Sequence, residues 1–148
     1  MTSMISPTRR ILLVDDQPLV THPIKLQLER TGRFIVLEEN NPTLALAVAR
    51  DFNPDVILLD VNMPEMNGWE VARQIQEDKR LEHTHLVFLT SEVTRTDALA
   101  RNSTGNFHFI AKPVPPSILT SILDWLLSRD TAVPCELPLP NGAFLHPC

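Results

Sequence analysis

Residues 56–70 read Val-Ile-Leu-Leu-Asp-Val-Asn-Met-Pro-Glu-Met-Asn-Gly-Trp-Glu, and the fold can be worked outward from them. The run Val56 to Leu59 is short, rich in branched side chains and not alternating, as in a strand covered on both faces in a parallel sheet. It stops at a carboxylate, Asp60. Pro64 and Gly68 punctuate the loop that follows. Val71 and Ile75 then resume an apolar pattern at helical spacing. The stretch predicts a strand, an acidic residue, a loop and a helix.

This alternation recurs along the chain without any internal sequence repeat. Ile11–Val14 and Phe34–Leu37 precede the central run, and Leu86–Leu89 and Phe107–Ile110 follow it. Between the runs the period is helical: Val20, Ile24 and Leu28 make one stripe, and Leu44, Val48 and Phe52 another. Ile118, Ile122, Trp125 and Leu126 mark a last helix. Pro18 and Pro116 suit first turns, and Gly32 suits a helix end. A further helix is expected within Thr94–Ser103, where only Ala98, Leu99 and Ala100 are apolar. Strands alternating with helices predict a doubly wound α/β domain over residues 9–129. Residues 1–8 are expected to be an N-terminal extension. Residues 130–148, with Pro134, Pro138, Pro140 and Pro147 and no periodicity, are expected to be a tail or linker.

Composition narrows the function. At 148 residues with 43% apolar content the chain is expected to bury one substantial core. A net charge of -5 offers no electrostatic reason for nucleic acid or an anionic membrane surface as the partner. The first ten residues lack the apolar core of a secretory signal, and no run of about 18 apolar residues is present, so a cytoplasmic location is expected. Cys135 and Cys148 lack zinc-ligand spacing, and so do the five histidines.

The chemistry follows from where the apolar runs end. In an open α/β sheet, ligands bind beyond the carboxyl ends of the strands. The polar residues just past the runs are Asp15, Asp16, Asp60, Thr90 and Lys112. Four crossovers therefore deliver three carboxylates, a hydroxyl and an amine to one sheet edge. Carboxylates drawn together repel one another, and a hard divalent cation with oxygen ligands relieves the repulsion. A lysine adds a point charge suited to a phosphate oxygen. Phosphoryl transfer needs little beyond positioning and such charge neutralisation, and an aspartate can serve as its nucleophile. Taken singly, each residue has an ordinary explanation: Asp15-Asp16 a helix cap, Asp60 a loop carboxylate, Thr90 a backbone partner, Lys112 a surface charge.

Four segments, LLVDDQP, VILLDVNMPEMNGWE, VFLTS and GNFHFIAKP, occur in an order and at spacings that closely resemble the receiver domains of two-component signalling, the CheY-like family. The resemblance covers nearly the whole helix-and-strand region. It implies a flavodoxin-like, five-stranded parallel sheet of order 2-1-3-4-5 with five flanking helices. It also implies that Asp60 accepts a phosphoryl group in a reaction dependent on Mg2+ or Mn2+. Asp15, Asp16, Asp60 and the backbone carbonyl of Asn62 would hold the metal. Lys112 would pair with the acceptor and then the phosphate, with Thr90 and Phe109 as the moving switch. The Lys112-Pro113 peptide would be a candidate for the cis form. The implied partners are a sensor histidine kinase or a histidine phosphotransfer protein, and a phosphorylation-dependent homodimer through the fourth helix, fifth strand and fifth helix.

Gln17, Asn62, Glu92, Asn106 and His108 depart from the common family pattern, but none removes a required chemical group. Two alternatives stay open: a pseudo-receiver that docks a partner constitutively, and a conventional enzyme on the same fold. The aspartate-nucleophile hydrolases usually carry a second aspartate where Asn62 stands, and no glycine-rich phosphate loop is visible.

Overall fold

The computed structural model describes residues 8–61, 63, 66–90, 107–111, 115–127, 137–138 and 144–145. The expected strands form as β1 (Arg9–Val14), β2 (Phe34–Glu39), β3 (Val56–Asp60), β4 (His85–Thr90) and β5 (Phe107–Ala111). They pair in parallel in the order β2-β1-β3-β4-β5. The described helices are α1 (Pro18–Arg30), α2 (Ala45–Phe52), α3 (Gly68–Gln76) and α4 (Pro116–Leu127). The helix expected within residues 94–103 and the boundary expected at residue 129 lie outside the described residues.

Alternation along each central strand explains why its run is continuously apolar. Leu13, Leu58, Val87, Leu89 and Ile110 pack with Leu28 of α1 and with Leu119, Ile122, Leu123 and Leu126 of α4. Their neighbours Leu12, Val14, Ile57, Leu59, Leu86 and Phe88 pack on the other face with Ala45 and Ala49 of α2 and Val71, Ala72 and Ile75 of α3. Both faces are covered, so no position in the middle of the sheet can be polar without a desolvation cost. The edge strand β2 differs: Phe34 and Val36 are buried, whereas Ile35 is 47% exposed.

The helix ends follow local chemistry. α1 begins with Pro18 at its first position, and Thr31 closes it with a hydroxyl that donates to the Leu28 carbonyl at 2.8 Å. Gly32 follows at φ +77°, the left-handed turn expected just past a helix end. The apolar stripe expected on α2 is shifted. Asn41 caps a 3-10 turn over Pro42–Leu44, which leaves Leu44 48% exposed. Ala45 and Ala49 take the buried line instead, with Val48 and Phe52 at its rim. The small side chains bring this helix close to the sheet.

The tail contains two short antiparallel strands, β6 (Leu137–Pro138) and β7 (Phe144–Leu145). β7 runs close to β5.

Two stability predictions follow from the helix contacts. Asp78 accepts from Arg50 of α2 at 2.6 Å and caps the 3-10 turn over Lys79–Leu81 by accepting the Arg80 amide at 2.9 Å. The Arg50 guanidinium, and then Arg80, hold its carboxyl far below the ordinary value of 3.8. A depressed folded value means stabilisation that is present above the unfolded value and lost as pH falls through the folded one. Asp78→Asn should therefore lower the urea midpoint at neutral pH, and the gap from wild type should close only below 3.8. Separately, the exposed Pro23 lies inside α1 and cannot donate to the Leu19 carbonyl. Pro23→Ala should raise stability by about 1–3 kcal/mol in chemical denaturation.

Candidate functional site

The parallel register sets the site. Val14 of β1 lies beside Leu59 of β3, so the next residues along, Asp15 and Asp60, emerge side by side at the carboxyl edge. Asp16 follows one residue later, before α1 begins. One carboxylate oxygen from each of Asp15, Asp16 and Asp60 lies within 4.8 Å of the others. Asp15 is only 6% exposed, whereas Asp16 and Asp60 are partly open to solvent. A small recess beside the acids is lined by Asp15, Val20, Thr21, Ile24, Leu58, Asp60 and Leu89.

Asp15 is held at both its backbone and its side chain. Its amide donates to the Glu39 carbonyl at 3.3 Å, and its Oδ1 accepts the Gln17 amide at 3.0 Å. Its carbonyl accepts Asn40 Nδ2 at 2.7 Å. Asn40 was not among the residues singled out from the sequence. It could have been found by the same rule as the others, because it is the first residue past β2. The apolar run there ends at Leu37, two residues before the strand does, and that hid the true strand end.

The loop after Asp60 is anchored in the second core. Val61 and Met63 are buried there, and the Trp69 ring lies 4.5 Å from that of Phe88. Asn67 caps α3 by accepting the Glu70 amide at 3.0 Å. Gly68 donates its amide to the Val61 carbonyl at 2.8 Å. A Cβ at this position would stand 2.3 Å from the Asp60 carbonyl oxygen and 2.9 Å from Val61 Cα. Only glycine lets α3 start this close to the strand that carries Asp60.

Of the residues expected at the site, Asp15, Asp16 and Asp60 are thus brought together. Thr90 closes β4, where its backbone pairs with Ala111, and Phe109 pairs with Phe88. The side chains of Thr90 and Phe109 lie outside the described residues, as do Asn62, Lys112 and Pro113. His108 is fully buried in β5, with its ring centroid 6.3 Å from that of His85. That places it in the core rather than at the edge.

The donor set fits a hard divalent cation. Magnesium–oxygen bonds of about 2.1 Å hold two ligands no more than about 4.2 Å apart. The carboxylate oxygens, within 4.8 Å of one another, need only a small closure or one ligand taken through water. Among the described residues, no helix is long and apolar enough to cross a membrane.

Comparison with known proteins agrees with the family and the fold. The family model for the response regulator receiver domain matches residues 11–124. The chain is 30% identical over 119 residues to protein PilH of Pseudomonas aeruginosa, covering 80% of this chain and 98% of PilH. It is 31% identical over 123 residues to chemotaxis protein CheY1 of Helicobacter pylori, covering 82% of this chain and 98% of that protein. It is also 33% identical over 122 residues to response regulator Rre1 of Synechocystis, covering 82% of this chain but only 53% of Rre1. The crystal structure of chemotaxis protein CheY4 of Vibrio cholerae superposes with a TM-score of 0.73 at 27% identity, covering 80% of this chain and 98% of that one.

The contrast between two glycines tests the anchoring of the Asp60 loop. Gly32→Ala has open space around it and meets only the strain of its positive φ, about 1 kcal/mol. Gly68→Ala must displace backbone rather than a flexible side chain, and should cost about 1–3 kcal/mol or more in urea denaturation. A Gly68 variant as stable as the Gly32 variant would contradict the close approach.

Proposed function

The chain belongs to the response regulator receiver domain family, and on that premise we propose that it is a phosphorylation switch whose acceptor is Asp60. The observation that carries this reading is the convergence of three carboxylates, two just past β1 and one closing β3, within 4.8 Å of one another. Receiver domains of this family act with histidine kinases or histidine phosphotransfer proteins, and one of these is the proposed donor.

In the proposed reaction a carboxylate oxygen of Asp60 attacks phosphorus as the bond to the donor imidazole nitrogen breaks. The departing imidazole takes up a proton, and Asp60 becomes an aspartyl phosphate. Magnesium, or manganese, supplies neutralisation of the charge on the phosphoryl oxygens. Asp15, Asp16 and Asp60 hold the cation, with the backbone carbonyl of Asn62 as a further ligand. The burial of Asp15 and its three hydrogen bonds keep that ligand from swinging away, which supports this assignment. Asp60 is partly open to solvent, as an acceptor for a large donor must be. Lys112 pairs with Asp60 before transfer and with the phosphate after it. The chain itself is a signalling phosphoacceptor that assists its own phosphorylation and dephosphorylation.

The phosphate adds negative charge and strong acceptor oxygens beside the cation. Thr90 and Phe109 respond, and the balance between two packings shifts. The altered surface lies around the expected fourth helix, β5 and α4, and is offered to a partner or to a second copy of the chain.

Intact mass after incubation with acetyl phosphate should show a gain of one phosphoryl group with magnesium and none without it. Asp60→Asn should show no gain in either condition. If neither acetyl phosphate nor a phosphorylated phosphotransfer protein modifies the wild type, the phosphoacceptor reading fails and constitutive docking takes its place.

A further inference from the structure

We propose that Asn40, Thr21 and Glu38 act as a relay of positioning residues that locks the Asp15–Asp16 turn in its cation-binding geometry. This rests on the cation site proposed above and assigns it three further residues, none of which touches the cation.

The relay runs in one direction. Glu38 lies in β2 and accepts the Thr21 hydroxyl through Oε1 at 2.5 Å, while its Oε2 faces His22 Nδ1 at 3.2 Å. Burial works against the charged form of Glu38, but the hydrogen bonds from Thr21 and His22 outweigh it and hold the carboxyl below its ordinary range. Glu38 is therefore an ionised acceptor at neutral pH, and it has no proton to give. The Thr21 hydroxyl must donate to it, which leaves the lone pairs of Oγ1 to accept.

They accept from Asn40. Its Nδ2 lies 3.2 Å from Thr21 Oγ1 and 2.7 Å from the Asp15 carbonyl. Both of those atoms are acceptors, so the amide must turn its NH2 toward them, and its two hydrogens are used by the two bonds. A single arrangement of donors satisfies Glu38, Thr21, Asn40 and Asp15 together. Thr21 is only 2% exposed, so water cannot readily replace the hydroxyl.

The consequence for the site is geometric. Asp16 lies between two tethered residues. Asp15 is tied to β2 through Asn40 and Glu39, and Gln17 accepts the amides of Val20 and Thr21 at 2.9 and 3.2 Å. Three carboxylates that repel one another would open this turn if its backbone were free. The relay opposes that movement, and it joins β1, β2 and α1 at the point where the repulsion acts. Groups that orient metal ligands from behind typically change metal affinity 10- to 100-fold when removed.

The test is Mn2+ titration of the intact chain followed by electron paramagnetic resonance, with urea denaturation of the same samples. Thr21→Val removes the hydroxyl at nearly constant shape, Thr21→Ser keeps it, and Asn40→Ala removes the donor at a partly exposed position. Asn40→Ala and Thr21→Val should each weaken Mn2+ binding about tenfold or more. Thr21→Ser should stay within about twofold of wild type. The double variant Thr21→Val/Asn40→Ala should be little worse than either single change, because the two residues act through one chain of bonds. A lowered urea midpoint with unchanged Mn2+ affinity in Thr21→Val and Asn40→Ala would make the relay merely structural and overturn the proposal. If wild type itself binds no Mn2+, the cation site and the relay fall together. If wild type binds and the variants bind equally well, only the relay falls.

Discussion

Parallel pairing of β1 with β3 leaves two carboxylates no way to avoid each other. With Val14 beside Leu59, the residues one step further must emerge together, and in this chain both are aspartates. Asp16 adds a third negative charge within 4.8 Å. In water such a group would disperse. Here each acid is attached to a strand or turn whose neighbours are buried in two cores, so dispersal would require breaking sheet contacts. The like-charge repulsion is thus borne by the hydrophobic packing, and a cation is the simplest means of relieving it.

The rest of the edge is built to hold these charges close. Gly68 lets α3 begin against the Asp60 carbonyl, where any side chain would force the strand end and the helix apart. Asn67 caps the helix, and Trp69 rests on Phe88 beneath it. On the other side of Asp60, Asn40 and Thr21 tie the Asp15 turn to β2 and α1. α3 packs on one face of the sheet and α1 on the other. The acids at the sheet edge are thus braced from both faces of the sheet.

Where sequence reasoning and structure part, the reasons are local. The stripe Leu44, Val48, Phe52 has the right period for α2, yet Leu44 is exposed because Pro42 and Asn41 start the segment as a tighter 3-10 turn. Periodicity cannot register that change of pitch. In β2 the apolar run stops before the strand does: Glu38 and Glu39 continue the pairing, with the Glu38 carboxylate accepting from the Thr21 hydroxyl and that of Glu39 from the Asn41 amide. Reading the strand end from hydrophobicity alone therefore missed Asn40. His108, to which the sequence assigned no site, is fully buried because its place in the alternation of β5 puts it on the face covered by α1 and α4.

By itself the sequence determined the alternation of strands and helices, the two-sided burial of the central strands and the identity of the three acids. Each of these is written in residues close together along the chain: four apolar side chains, then a carboxylate. Tertiary structure alone decided what stands beside each acid. The 15-to-60 pairing, the reach of Asn40 across to the Asp15 carbonyl and the approach of Gly68 to Asp60 all depend on the register of one strand against another. Register is a property of the packed sheet. It is set when both faces find their helices, and no single segment carries it.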